Sequence, residues 1–431
     1  MIKIKKYTIE QISNEEEISQ KKIRKHIAAG LLEAEKKSNK WEITENALEE
    51  WLNEGKSLDS KAKEWLQENY VENNSEQLAL FNKEVKVEKE KNNRDNGDNV
   101  NWTDISKRWN DEKDNGYNYI ELFAGAGGLS LGYEMAGFEG LLANEVMEKA
   151  VETYKHNFNH PIIDGDIREQ ETKNKIYEAV KGKDIDLISG GFPCKGFSLS
   201  GYRIVTDERN NLYKEMLEIV KNIKPKFVVM ENVVGLRSML EGKVEEMILK
   251  DFKDIGYDMN VTVLNSADYY VPQVRKRVIF IGNRIGHKNY HPQPLLDESE
   301  YLTIKDAIED LIDHPKDKDF NHVQTRHGKD MKERIAAVEE GDGLYDNYSD
   351  AWKKSPWNEP SCTVKENHGG VNLHPRLPRV ITAREMARLQ SFPDEFIFKG
   401  AKKWQLKQIG NAVPPLLGKA IGLAVEKSLD G

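Results

Sequence analysis

The sequence predicts an α/β protein built on an open, largely parallel sheet. Three observations lead there. From Tyr117 onward, short apolar runs alternate with helix-length segments: Tyr119 to Phe123, Gly140 to Ala143, Ile185 to Ser189, Phe227 to Met230, Val261 to Leu264 and Val278 to Ile281. The first run leads into a glycine-rich turn, Phe123-Ala124-Gly125-Ala126-Gly127-Gly128-Leu129. Later runs end at ionisable or reactive residues, where sheets of this kind bind ligands.

Composition sets the limits. A chain of 431 residues allows two or three domains. No apolar run reaches the roughly 18 residues of a membrane span. The start, MIKIKKYTIEQ, lacks the apolar core of a signal peptide, so a cytoplasmic protein is expected. The two cysteines, Cys194 and Cys362, cannot build a disulfide framework or a usual zinc site, and no metal is expected. A net charge of −9 argues against coating nucleic acid by bulk electrostatics. Any such binding must come from local patches.

Residues 1–56 form a small module. Tyr7 to Ile12 suits a short helix, and Ser19 can cap a second from Gln20 to Ala29, which Gly30 stops. Ile23 and Ile27 fall on one face of that helix, and Lys21, Lys22, Arg24, Lys25 and His26 on the other. Leu31 to Glu35, a polar turn and Trp41 to Ile43 read as a hairpin, and Thr44 to Leu52 as a last helix. The pattern resembles the winged helix-turn-helix of the excisionase and MerR-like families. That resemblance implies DNA contacts from Lys21, Lys22, Arg24 and Lys25; a protein-interaction cap is the alternative. Residues 57–115, rich in Asn, Asp, Glu and Lys, read as a charged, partly disordered linker.

The ends of the apolar runs carry the candidate site residues. The glycine turn after the first run lets a ligand lie against backbone, although tight packing alone explains such turns too. Its spacing is neither G-x-G-x-x-G nor a P-loop. After the second run, Glu145 suits a bidentate grip on ribose hydroxyls. Asp166, in Gly165-Asp166-Ile167, can accept from an adenine amino group. Each acid alone reads more readily as a solvated loop residue, but together they suggest an adenosine cofactor without a pyrophosphate. "GGFPCKGFSLSG" then puts Cys194 in a turn after a buried run, where thiolates do chemistry. Glu231 ends the apolar run Phe227-Val228-Val229-Met230; desolvation there raises a carboxyl pKa, and pairing with a nearby arginine is the alternative. Gln273-Val274-Arg275-Lys276-Arg277 puts Arg275 and Arg277 on one side of an extended segment, suited to an anionic or carbonyl oxygen.

From Tyr119 onward the chain resembles the DNA (cytosine-5)-methyltransferases of restriction-modification type. "FAGAGG", "GDI", "GGFPCKGFSLSG", "RNNLY", "MENV", "QVRKR", "TAREMARLQSFPDEF" and "QIGNAVPP" stand in the family's order. The resemblance implies a Rossmann-like S-adenosylmethionine-dependent sheet over residues 116–288. It implies an inserted target-recognition domain over 289–376 and a return to the catalytic domain over 377–431. S-adenosyl-L-methionine, released as S-adenosyl-L-homocysteine, is expected against Phe123, Gly125, Gly127, Gly128, Leu129, Glu145, Val146, Asp166, Ile167, Gly191, Pro193, Leu212, Asn411 and Val413. Cys194 is the implied nucleophile, Glu231 the residue at the base's N3 and amine, and Arg275 and Arg277 the pair on its O2 side. Lys195, Ser198, Ser200, Gln273, Thr363 and Arg379 are expected DNA contacts.

The expected partners are double-stranded DNA and a functionally paired restriction endonuclease, with the enzyme a monomer and no membrane involved. Lys195 and Gly196 depart from the usual Gln-Ala or Gln-Pro, and Met147 stands where an Asp is common. A tRNA cytosine-5 methyltransferase is one rival, but its cysteine-phenylalanine-threonine motif is missing. A transcription regulator on a relic fold is another, yet all four catalytic-type residues are present.

Overall fold

A computed structural model describes residues 6–9, 11, 34–37, 40–44, 47–48, 114–193, 212–345, 352–365 and 372–431. The expected basic helix with Lys21, Lys22, Arg24 and Lys25 lies outside them, as do the linker, Cys194, Lys195, Ser198 and Ser200. The chain divides into two units, residues 1–95 and 96–431.

In the first unit, β1 (Lys6–Thr8), β2 (Glu35–Lys37) and β3 (Lys40–Thr44) form an antiparallel sheet with β3 in the middle. The expected hairpin is present, but Lys36 and Lys37 are strand residues rather than turn. Tyr7 and Thr8 are strand as well, not helix: Tyr7 pairs with Ile43, and Thr8 with Glu42. Thr8 instead caps the turn after β1, its Oγ1 accepting from the Gln11 N–H at 3.3 Å while its own N–H donates to Gln11 Oε1 at 2.8 Å. Ile9, Ile43, Ala47 and Leu48 make a small buried cluster.

The second unit opens with β4 (Asn118–Leu122), α1 (Gly128–Met135), β5 (Glu139–Glu145), α2 (Glu148–Asn157), β6 (Ile162–Asp164), α3 (Gln170–Ala179) and β7 (Leu187–Gly190). It continues with α4 (Leu212–Ile223), β8 (Phe227–Val233), α5 (Lys243–Asp254), β9 (Asp258–Asn265) and β10 (Lys276–Asn283). These strands make one seven-stranded sheet, ordered β6-β5-β4-β7-β8-β10-β9. β6, β5, β4, β7 and β8 are mutually parallel, and β10 runs antiparallel between β8 and β9. The sheet is therefore mixed. The reversed strand matters: it brings the start of β10 to the edge where β4 through β8 end.

Both faces are covered, as near-continuous apolar strands require. Ion pairs from Lys173 to Glu215 at 2.6 Å and Glu218 at 2.5 Å tie α3 to α4. The Tyr213 hydroxyl donates to Asp251 at 2.9 Å and ties α4 to α5. On the opposite face α1 meets the last helix, after α6 (Ile304–Ile308), α7 (Lys329–Ala336), α8 (Ala383–Leu389) and α9 (Lys402–Asn411) have intervened. That helix, α10 (Pro415–Asp430), buries Leu417, Ile421, Val425 and Leu429 with Tyr119, Leu187, Phe227 and Ile279 of the strands. A Cβ on Gly132 of α1 would lie 2.5 Å from the Gly418 backbone, so only glycine permits this crossing. The last helix thus packs back onto the sheet laid down by the earlier strands.

A second buried cluster joins Val151 and Tyr154 of α2 to Ile304, Ile308, Trp357, Val364, Met386, Phe392 and Ile409. The "TAREMARLQSFPDEF" segment organises it. Thr382 caps α8 with a capping box to Glu385, and Arg379 grips both Glu385 oxygens at 2.7 Å. Arg384, fully buried, donates to the carbonyls of Phe320, Pro393 and Phe396. Arg379 is 6% exposed, so the expected phosphate contact gives way to an internal ion pair.

Candidate functional site

Six strand ends and one strand start converge on one edge. After β4, Phe123 takes a left-handed φ of 56°, rare for a residue with a side chain, and Gly125 has φ 57°. Local strain of this kind collects at ligand sites. A Cβ on Gly125 would meet nothing within 4 Å, so open space lies beside it. Gly127 and Gly128 are different. A Cβ on Gly127 would lie 2.3 Å from the Phe158 ring, and one on Gly128 2.2 Å from the Val413 carbonyl oxygen. Those two glycines serve packing, and the cradle expected from the whole turn narrows to Phe123 and Gly125. Leu129, 2% exposed, belongs to the core beneath α1.

Glu145 closes β5 beside that turn. Its Oε2 accepts from the Gly125 N–H at 2.8 Å, and its Oε1 from Val146 at 2.9 Å and Met147 at 2.8 Å. A carboxylate offers about four acceptor sites, so about one stays open for a hydroxyl. The bidentate ribose grip becomes a single contact on a pre-set carboxylate. Val146 is 61% exposed and offers an apolar flank, while Ile167 is buried. Asp166 is held by Arg168, whose Nη2 donates to it at 2.5 Å, keeping the carboxyl below its ordinary pKa range. An open apolar flank, a strained turn and an acid with spare capacity fit an adenosine-type cofactor.

The turn after β7 begins at Gly191, where a Cβ would lie 3.1 Å from Glu231 Oε2. Asn232 Nδ2 donates to the Phe192 carbonyl at 3.2 Å and moors the turn to β8. The described chain stops at Pro193, the sequence neighbour of Cys194.

Register explains the next contact. Glu231 lies opposite Ile279, and Arg277 opposite Val233, so the two side chains share a face one diagonal apart. Arg277 Nε stands 2.8 Å from Glu231 Oε1, with both side chains nearly buried. The arginine alternative for Glu231 is thus realised. Burial lowers the Arg277 pKa, and Glu231 opposes that shift.

Arg275 does not join this pair. Its Nη1 donates to the Val364 carbonyl at 3.1 Å, and its Nη2 to those of Gly410 and Ala412, both at 3.0 Å. Gln273 is fully buried: its amide donates to Leu389 O and Gln390 Oε1 and accepts from the Val364 N–H. The expected DNA contact from Gln273 would cost three internal hydrogen bonds. Thr363 is partly exposed and donates to the Val274 carbonyl at 2.8 Å. Leu212 opens α4 and is 9% exposed; Asn411 is exposed at the end of α9; and Val413, 8% exposed, packs against α1.

Two residues with a clear local function were not foreseen. Asn232 is one, legible only as a buried polar residue beside Glu231. The other is Glu121, a carboxyl inside β4 that is 3% exposed. It pairs with Ser130 Oγ, which also meets the Tyr154 hydroxyl at 2.6 Å, and Tyr154 reaches His160 Nε2 at 2.7 Å. Burial pushes the Glu121 pKa up to about 8.

Fold and site together define a mixed α/β sheet protein with a strained glycine turn and an acceptor carboxylate at the strand ends, and a nearly buried acid–arginine pair on β8 and β10. Comparison with known proteins narrows this. Residues 117–427 match the family described as C-5 cytosine-specific DNA methylase. The type II methyltransferase M1.HphI of Haemophilus parahaemolyticus is 38% identical over 325 residues, covering 72% of this chain and 86% of that protein. M.DdeI of Desulfomicrobium norvegicum is 36% identical over 363 residues, covering 70% and 87%. Among solved structures, a prophage-encoded DNA modification methyltransferase from E. coli superposes with TM-score 0.61 at 28% identity, covering 73% of this chain and all of that one. The Entamoeba histolytica methyltransferase EhMeth, 17% identical with TM-score 0.54, covers 73% of this chain and 98% of its own and shares the fold. The chain belongs to the C-5 cytosine-specific DNA methylase family. Its reaction is methylation of DNA cytosine at C5, with S-adenosyl-L-methionine as donor.

Proposed function

We propose that the protein methylates a cytosine everted from a specific duplex sequence, through a covalent bond from Cys194. Cytosine C5 is a poor nucleophile. Addition of the Cys194 thiolate to C6 pushes ring electrons to C5 and makes it one. S-adenosyl-L-methionine, when bound, supplies a methyl group on a positively charged sulfur. Phe123, Gly125, Glu145 and Val146 hold it, with Asp166, Asn411 and Val413 completing the pocket. Charge developing on the ring is met by Glu231 near N3 and the amine and by Arg277 near O2. Once C5 carries the methyl, a base removes its proton, the electrons return to the ring and the thiolate leaves. A stacked base cannot present C6, so eversion precedes attack at a cost of a few kcal/mol. The observation that carries this reading is the Glu231–Arg277 pair, set against the Gly191 turn that leads into Pro193 and Cys194.

Residues 289–376 are assigned target recognition, with Thr363 at the DNA backbone and Lys195, Ser198 and Ser200 around the everted base. The first unit is assigned auxiliary DNA binding through Lys21, Lys22, Arg24 and Lys25, as docking aid or repressor of its own promoter. A cognate restriction endonuclease is the functional partner, and the enzyme acts as a monomer. Duplex DNA carrying 5-fluorocytosine at the target tests the chemistry: without a C5 proton to remove, a stable protein–DNA adduct accumulates. Cys194→Ser abolishes it, and an adduct surviving that substitution overturns the assignment.

A further inference from the structure

Gln273, Arg275 and Gln390 form a buried polar hub that the base chemistry does not use. Gln273 is 0%, Arg275 2% and Gln390 0% exposed. Three separate pieces of chain meet there. The first is the 361–365 segment, bound through the Val364 carbonyl to Arg275 and through the Val364 N–H to Gln273. The second is the end of α8, bound through the Leu389 carbonyl and Gln390. The third is the last turn of α9 with Ala412 after it: Gly410 and Ala412 carbonyls accept from Arg275, and the Ile409 carbonyl accepts from Gln390 at 2.7 Å.

Backbone carbonyls cannot be exchanged by mutation, so the segment's place depends on the donors facing it. Arg275 supplies a rigid fork with a fixed charge, suited to holding several carbonyls at once. The segment it holds ends α9 at Asn411 and leads to Val413, whose carbonyl lies against Gly128 at the end of the glycine turn.

We infer that Arg275, seconded by Gln390, is a positioning residue for the cofactor pocket, locking the end of α9 and the 412–413 residues after it to the 361–365 segment, and that it does not touch the target base. The inference rests on the reading that Asn411 and Val413 line the cofactor pocket.

Calorimetric titration of the intact chain with S-adenosyl-L-homocysteine, in the absence of DNA, tests it. Arg275→Met and Gln390→Met should each weaken binding roughly tenfold or more, as expected for lost charge-assisted or buried hydrogen bonds. Arg275→Lys should recover part of the loss. In steady state all three should raise the KM for S-adenosyl-L-methionine more than they lower kcat. Because two variants act on the same segment from different elements, misfolding of one leaves the other to decide. Unchanged DNA-free affinity with reduced 5-fluorocytosine trapping would place Arg275 at the base and overturn the inference. A wild-type chain that fails to bind S-adenosyl-L-homocysteine would remove the cofactor reading, and the inference with it.

Discussion

Glu121→Gln should change how stability depends on pH, and the structure sets the size of the effect. The Glu121 carboxyl is 3% exposed inside β4, and burial raises its pKa from 4.5 to about 8. Its polar surroundings are Ser130, Tyr133 and Glu134 of α1, Tyr119 of β4, Glu145 of β5, and Tyr154 with His160 around α2. Below pH 4.5 folded and unfolded chains both carry the proton, and the group's stabilisation is fully present. Between about 4.5 and 8 the unfolded chain releases it and the folded chain keeps it, so stability falls as pH rises. At about 1.4 kcal/mol per unit the full shift sets an upper bound of about 5 kcal/mol. Relaxation and water entry reduce this, so about 2–4 kcal/mol is expected. Glutamine keeps the shape and cannot ionise. Urea unfolding of wild type and variant at pH 5, 6.5 and 8 should show the variant gaining on wild type by that amount across the range. A difference that stays constant with pH would refute the reasoning.

Two more outcomes rest on the same contacts. Arg277→Met leaves the Glu231 carboxylate buried without its partner and should cost about 3–5 kcal/mol; adding Glu231→Gln should restore much of that stability while methylation stays abolished, as urea midpoints and a methyl-transfer assay would show. Gly132→Ala forces a Cβ to within 2.5 Å of the Gly418 backbone and should lower stability by about 1–3 kcal/mol, read as a fall in Tm that Gly418→Ala does not relieve.

Much of this was legible from sequence because apolar runs and their ends are local features. Each expected run overlaps a strand, Glu145 ends β5, Glu231 lies in the last half of β8, and Val413 packs with the strands. Direction was not legible. An apolar run reads the same both ways, so the reversal of β10 emerged only through pairing. Alternation correctly put Gln273, Arg275 and Arg277 on one side, but not what that side faced. One of them meets Glu231, and the other two face carbonyls and amides from segments some 90 to 140 residues away in sequence. The glycine turn shows the same limit. Composition marks Gly125, Gly127 and Gly128 alike, and only the third dimension separates open space from the Phe158 ring and the Val413 carbonyl.

The crossing of α1 and α10 has a consequence for how the enzyme is made. The first catalytic helix leaves the ribosome about 280 residues before its partner, roughly 15–60 s at ordinary elongation rates. For that interval the face formed by Tyr119, Leu187, Phe227 and Ile279 lacks its cover of Val413, Leu417, Ile421, Val425 and Leu429. Messages that end early yield sticky, inert fragments rather than weak methylases. A cell starting to translate this gene gains methylation of its DNA only as whole chains are finished.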